Sequence, residues 1–136
     1  MVRDWDRVIT LNAGPDQWKW RLNRALALTR GGDYTRATAE AEILEKDAEL
    51  TNDGRYNLAC VYSLALTALG SNPLPATVDS YAVRAFSLLE KILIDGFFQE
   101  PGHTKLLASD PDLLALRSRE AFRKLLKAPV PQAVPR

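Results

Sequence analysis

The chain contains few of the residues that build disulfides, metal sites or cofactor sites. Its 136 residues include one cysteine, Cys60, and one histidine, His103. A single cysteine excludes an internal disulfide and a cysteine-rich zinc site, and it is typical of a reducing compartment. His103 has no cysteine near it in the sequence with which to share a metal ion. We therefore expect neither a metal nor a cofactor.

The sequence also lacks an excess of either charge and a long apolar run. Eighteen Lys and Arg residues balance seventeen Asp and Glu residues, which leaves a net charge of +1. Such a chain has no strong attraction to nucleic acid or to an anionic membrane surface. The apolar stretch 56–69 is shorter than the roughly 20 residues that span a bilayer. Charged residues at the N-terminus, where a secretory signal would be apolar, predict a cytoplasmic protein.

Motifs of catalysis are missing as well. The sequence has no glycine-rich phosphate loop, no His-Glu-x-x-His pair and none of the motifs of a protein kinase active site. Cys60 lies in an apolar segment with helical periodicity, where a thiol is expected to pack as a small hydrophobic group. These absences predict a protein that is not an enzyme.

What the sequence does contain is helical periodicity. Glycine and proline cluster between long periodic segments, and no segment alternates apolar and polar residues as a strand would. The sequence therefore predicts one all-α domain. Two helices separated by Gly31-Gly32 should form a hairpin, with Asp33 capping the second, whose apolar stripe runs to Ala48. A third helix, from near Asn52 to near Gly70, is apolar on almost every side and should be buried between neighbours.

The second half of the chain predicts one more long helix and several short ones. The long helix follows the turn at 71–75 and ends at Gly96, with small and apolar residues along one stripe. A short piece follows around 103–108. Another begins at Asp110-Pro111, where the aspartate can cap and the proline takes the first helical position. A last helix carries Phe122, Leu125 and Leu126, and the proline-rich tail 128–136 should be extended.

An internal repeat indicates a more specific architecture. The segments Arg21-Leu22-Asn23-Arg24-Ala25 and Arg55-Tyr56-Asn57-Leu58-Ala59 agree at three of five positions and lie 34 residues apart. A 34-residue period is that of the tetratricopeptide repeat. The turn Gly32-Asp33-Tyr34 and the small residues Ala37 and Ala41 also resemble this family. The resemblance implies a short superhelix, or solenoid, of antiparallel helix pairs.

The resemblance also divides the chain into units. Within a domain spanning 1–127, we expect the end of a preceding repeat (1–14), a first unit (15–50), a second unit with a lengthened turn (52–96) and a helical cap (97–127). The cap resembles the segment that ends tetratricopeptide regions in bacterial multidomain proteins, notably those that carry Ser/Thr protein kinases. A half-unit at the start implies that the chain derives from a longer repeat array.

Two repeated asparagines are the strongest candidate binding residues. Asparagine has a low helix propensity, yet Asn23 and Asn57 occur inside predicted helices at the repeat spacing. In tetratricopeptide proteins the first helix of each unit lines a concave groove, where an asparagine often bonds a bound peptide. The resemblance therefore implies a partner-binding set: Lys19, Asn23, Arg30, Tyr56, Asn57 and Ser63. The alternative is that each amide bonds a neighbouring helix or a buried water.

Charged and further groove residues follow from the same pattern. We expect Arg21 and Arg55 to pair with carboxylates of the chain, such as Glu40 or Glu42, in preference to an acidic peptide. The remaining residues predicted to face the groove are Leu22, Leu26, Asp53 and Cys60.

These observations predict a non-catalytic protein–protein interaction module, or scaffold, that binds a peptide or protein segment. Two alternatives stay open. One is a regulatory or positioning domain of a larger enzyme, such as a Ser/Thr kinase. The other is self-association, in which the apolar surface around Trp5 in the N-terminal half-repeat stacks on a second copy.

Overall fold

A computed structural model describes residues 7, 9–11, 14, 17–69 and 75–127 of the chain. All regular secondary structure in these ranges is helical, so the prediction of an all-α fold is confirmed. Residues 7 and 9–11 are helical, and four long helices follow: α1 (Gln17–Arg30), α2 (Tyr34–Leu44), α3 (Asn52–Ala68) and α4 (Pro75–Ile94). Short elements follow: a 3₁₀ turn at Phe97–Gln99, α5 (Leu106–Ser109), a 3₁₀ turn at Pro111–Leu113, α6 (Leu114–Arg117) and α7 (Glu120–Lys127).

The first two helices form the predicted hairpin. Gly32 has a φ of +92°, a conformation that glycine adopts at little cost, and the Asp33 amide donates to the Leu28 carbonyl at 2.8 Å. The Asp33 carboxylate then accepts from the Arg36 amide, capping α2. The extension of this helix to Ala48 is wrong. The Asp47 carboxylate accepts from the Glu49 amide at 2.8 Å and closes a turn instead.

Helix α3 is the centre of the fold. It begins at a Thr51 cap, whose hydroxyl accepts from the Gly54 amide at 3.1 Å. It packs against α1, α2 and α4, and on a further side against the 3₁₀ turn at Pro111–Leu113 and α6. The prediction of a helix buried between neighbours is confirmed by its fully enclosed residues, Leu58, Ala59, Val61, Tyr62 and Ala65.

Burial in α1 and α3 follows the 34-residue repeat. Ala25 and Ala59 are both fully enclosed, so that neighbouring helices approach closely at each. Further pairs at the same spacing are also buried on both members: Leu22 and Tyr56, Leu28 and Tyr62, and Thr29 and Ser63. At other pairs with this spacing, such as Leu26 and Cys60 or Ala27 and Val61, only the α3 residue is buried.

Helices α2 and α4 are joined by polar contacts at their exposed edges. Arg84 pairs with the carboxylate of Glu45 at 3.1 Å and with that of Glu42 at 3.5 Å. The Tyr62 hydroxyl of α3 donates to the same Glu45 carboxylate at 2.5 Å. Burial raises the pKa of Tyr62 above its usual range, and the hydrogen bond to Glu45 adds to this shift.

The segment 97–127 is here called the cap, and it packs on a further side of α3. The Asp110 carboxylate accepts from the Asp112 amide at 2.9 Å, and Pro111 occupies the first turn, as predicted. Arg117 donates to the carbonyls of Leu107 and Asp110, which ties the end of α6 to α5 and to the residue that follows α5. Phe122 of α7 is fully enclosed. The predicted tail 128–136 and the half-repeat residue Trp5 lie outside the described residues.

Candidate functional site

A cleft of about 320 Å³ opens between α1 and the start of α3. Helix α1 contributes Trp18, Lys19, Leu22 and Asn23 to its walls, and the other side is lined by Thr51, Asp53, Gly54 and Asn57. Three of the six predicted partner-binding residues therefore share one cleft: Lys19, Asn23 and Asn57. Leu22 and Asp53, which were also predicted to face the groove, lie there too.

The two carboxamides in this cleft are available to a ligand. Asn23 is exposed and Asn57 is partly exposed. Neither side chain makes a hydrogen bond to any residue that the structure describes, in contrast to Asn52, which donates to the Asp95 carboxylate at 3.2 Å. The alternative in which each amide bonds a neighbouring helix therefore finds no support in the described part of the chain. Each amide can offer both a donor and an acceptor to a peptide backbone.

The floor of the cleft is apolar and tightly built. Trp18 is only 6% exposed, and it packs where Gly54 leaves room. A β-carbon added to Gly54 would lie 2.8 Å from Cζ3 of Trp18 and 2.6 Å from Cδ1 of Leu50. Glycine at this position thus allows the indole to lie against the backbone of α3. The floor beneath the two amides is therefore apolar and almost fully enclosed.

Both charge signs occur at the rim of the cleft. The Lys19 ammonium lies 5.8 Å from the centre of the Trp18 ring, within the range of a cation–π contact. Asp53 is three-quarters exposed, and its Oδ1 lies 3.9 Å from Nε2 of His103. The imidazole of His103 stacks on Phe97 with ring centres 4.1 Å apart, and Nδ1 lies 3.0 Å from the Phe97 carbonyl oxygen. His103 is therefore packed into the loop that leads to α5.

The other three predicted binding residues lie outside the cleft, and two of them, Tyr56 and Arg30, bind residues of the cap. Tyr56 is buried, stacks on Phe97 and donates to the Asp110 carboxylate at 2.6 Å. Ser63 is fully enclosed, and its hydroxyl has no partner among the described residues. Arg30 pairs with the Asp112 carboxylate at 3.0 Å. The predicted groove residue Cys60 is buried too, and Leu26 does not line the cleft.

The junction between α3 and the cap holds the only group of three metal-ligating atoms found among the described residues. The Cys60 sulfur and carboxylate oxygens of Asp110 and Asp112 lie within 4.8 Å of one another. Each carboxylate already binds a partner, since Asp110 accepts from Tyr56 and Asp112 pairs with Arg30. Burial raises the pKa of the Cys60 thiol, and the two carboxylates add to the shift. A protonated, enclosed thiol is a poor metal ligand and a poor nucleophile.

The predicted pairing of the repeated arginines holds for one of the two. Nη1 of Arg21 lies 3.0 Å from a carboxylate oxygen of Glu40, and Arg24 binds the second oxygen of the same group. Glu40 is itself buried. Arg55 instead donates to the side-chain oxygen of Asn52 at 2.8 Å, so its prediction of a carboxylate partner is wrong.

Three cleft residues were missed by the analysis of the sequence. Trp18, Thr51 and Gly54 line the cleft but were not among the residues predicted to face the groove. The signal that identifies Gly54 is its place in the first turn of a helix, where glycine is unfavourable unless a neighbour needs the space.

Among the described residues, no helix combines the length and the apolar character needed to cross a membrane. Comparison with known proteins gave no matching family model, no matching curated protein and no matching solved structure.

Proposed function

We propose that the protein is a non-catalytic binding module of the tetratricopeptide type, and that it holds an extended peptide segment in the cleft between α1 and α3. One observation supports this most directly: two asparagines 34 residues apart line one open cleft, and both amides lack an internal partner among the described residues. Asparagine forms helices less readily than most residues. An asparagine on a helix surface that bonds no other part of the protein is therefore suited to ligand recognition.

The chemistry of the cleft defines the proposed ligand. A carboxamide bonds one backbone N–H and one backbone C=O, so Asn23 and Asn57 can each fix one peptide unit of an extended chain. The surface formed by Trp18 and Leu22 favours an apolar side chain between those units. Lys19 and Asp53 carry opposite charges at the rim, so the cleft favours a mixed sequence over a strongly acidic one.

The experiment is a selection of random displayed peptides against the wild-type protein, followed by affinity measurements on the selected sequences. In Asn23→Ala with Asn57→Ala, the loss of four neutral hydrogen bonds, two for each carboxamide, should weaken binding by about 30-fold or more. Asn52→Ala is the matched control, because Asn52 lies in the same helix but outside the cleft, and its affinity should equal that of the wild type.

Circular dichroism would confirm that each variant remains helical. Equal affinities for the wild type and the folded double variant would overturn the role of the amides. A selection that yields no binding peptide would count against the module as a whole.

The two alternatives from the sequence remain compatible with this site. In a regulatory domain of a larger enzyme such as a Ser/Thr kinase, the peptide would come from the parent chain. Self-association through the surface around Trp5 concerns residues that are not described. The proposal of a peptide-binding module in the cytoplasm differs from both because its partner is a separate protein.

A further inference from the structure

A second groove lies between α4 and α7. It has a volume of about 260 Å³ and is lined by Phe86, Glu90, Leu93, Ile94, Ala121, Lys124 and Leu125. The α4 residues recur at steps of three and four, so they form one stripe along the helix. Residues 121, 124 and 125 form the matching stripe on α7. The groove is therefore bounded by two helix faces.

The groove leaves apolar surface open. Phe86 and Phe122 contact each other at its base, with ring centres 6.5 Å apart, and Leu125 is nearly enclosed. Above them, Ile94 is 71% exposed at the end of α4. Apolar side chains grouped at a groove mark a contact surface more often than isolated ones do.

The charges on the groove indicate what covers it. Glu90 stands on the α4 wall and makes no ion pair with any described residue, whereas Lys124 stands on the α7 wall. Among the described residues Lys124 pairs only with Glu120, at 4.0 Å, and both of these side chains are about four-fifths exposed. A pair of that kind contributes little, so Lys124 is available to another carboxylate.

We propose that this groove is a symmetric interface between two copies of the chain. A two-fold axis through the groove sets the Glu90 carboxylate of each copy opposite the Lys124 ammonium of the other, and it seats each Ile94 on apolar surface of its partner. The same groove on each copy thus contributes one glutamate and one lysine to the charge pairs across the interface. The net charge of +1 opposes the approach of two copies only weakly.

The test is the dimer dissociation constant, measured by sedimentation equilibrium over a wide range of protein concentrations. The wild type should form a reversible dimer. Ile94→Glu buries two carboxylates in the interface, and Glu90→Lys places like charges together twice. Each should raise the dissociation constant by about tenfold or more. Both side chains are exposed, so the fold should be retained, and circular dichroism would verify this.

A charge exchange and a matched control make the test specific. Glu90→Lys combined with Lys124→Glu restores opposite charges across the axis and should return the constant to within about threefold of the wild type. Val83→Glu changes an equally exposed apolar residue of α4 outside the groove and should have no effect. A monomeric wild type, a dimer insensitive to Ile94→Glu, or a charge exchange that fails to restore pairing would each overturn the proposal. None of these results depends on peptide binding in the other cleft.

Discussion

At the scale of single residues, the shape of the candidate cleft depends on a contact between an aromatic ring and a glycine. Trp18 lies against α3 because Gly54 has no side chain. The same indole forms the floor beneath Asn23 and Asn57. A change at Gly54 therefore acts on both stability and the geometry of the cleft.

Gly54→Ala should destabilise the protein. Displacing the buried indole costs about 1–3 kcal/mol, and the higher helix propensity of alanine offsets about 1 kcal/mol of this. The expected net loss in the free energy of unfolding is about 1 kcal/mol, measured by urea denaturation. Gly31→Ala is the control, because a β-carbon there meets only ordinary contacts at 3.4 Å or more, and a change within about 0.5 kcal/mol is expected. Equal effects of the two substitutions would contradict the packing argument.

Tyr56→Phe should also destabilise the protein, through the junction with the cap. It removes a hydrogen bond from a buried hydroxyl to the Asp110 carboxylate, with an expected loss of about 1–3 kcal/mol in the free energy of unfolding. The hydroxyl of Tyr34 makes no hydrogen bond within the described residues, so Tyr34→Phe should be almost neutral. A neutral Tyr56→Phe would show that the hydrogen bond to Asp110 contributes nothing to stability.

At the scale of helices, small residues determine how closely the elements approach. Ala41 of α2 and Ala85 of α4 are completely enclosed, as are Ala25 and Ala59 of the repeated helices. Alanine at such positions brings two backbones together without a cavity. The packing of α4 on α3 therefore depends on the absence of larger side chains.

Ala85→Leu should force these helices apart. Adding three carbon atoms to a filled site costs about 1–3 kcal/mol in the free energy of unfolding. Ala76→Leu places the same side chain at an exposed position in the first turn of α4 and should change stability by less than about 0.5 kcal/mol. Thermal unfolding of both variants would measure the difference. Comparable melting temperatures for the two would argue against close packing at Ala85.

The positions of the helices were predictable from local signals in the sequence. The contacts by which distant segments bury each helix were not. Glycine at Gly32 and Gly96 and capping by Asp33 and Asp110 act within a few residues, so the sequence alone identified those helix ends. The burial of Tyr56 depends on Phe97 and Asp110 of the cap, which lie 41 and 54 residues further along the chain. The pattern of apolar residues in α3 does not indicate which face of the helix packs against the cap.

The same limit explains the outcome for the candidate site. The 34-residue spacing of Asn23 and Asn57 predicted two amides at equivalent positions, and both line one cleft. Trp18 reads in the sequence as one more apolar residue of α1. Its role in the cleft appears only when α3 is placed beside it. Pairs between distant elements, such as Arg30 with Asp112, follow from the tertiary arrangement in the same way.

At the scale of the whole molecule, three buried acids tie stability to alkaline pH. Burial raises the pKa of Tyr56, Tyr62 and Cys60 in the folded protein. In the unfolded chain these groups ionise at their ordinary values, about 10 for tyrosine and about 8.5 for cysteine. The stability that follows from keeping them neutral is therefore complete below about pH 8 and is lost as the pH rises above it.

The free energy of unfolding should fall by up to about 1.4 kcal/mol per pH unit for each group that ionises only in the unfolded chain. Urea denaturation between about pH 7 and pH 11 would measure this slope. Tyr62→Phe removes one group and should make the fall between about pH 10 and pH 11 less steep. A slope unchanged by this substitution would show that Tyr62 does not contribute to the alkaline loss.

The position of the cap limits the length of peptide that the proposed cleft can bind. Cys60, one helical turn beyond Asn57, is already enclosed beside Asp110 and Asp112. A peptide that lies along α1 and α3 must end or turn away at Cys60. Only a few residues of the peptide therefore contact the cleft. Short footprints give modest affinity for a single site, and tight capture then requires avidity from several sites presented together.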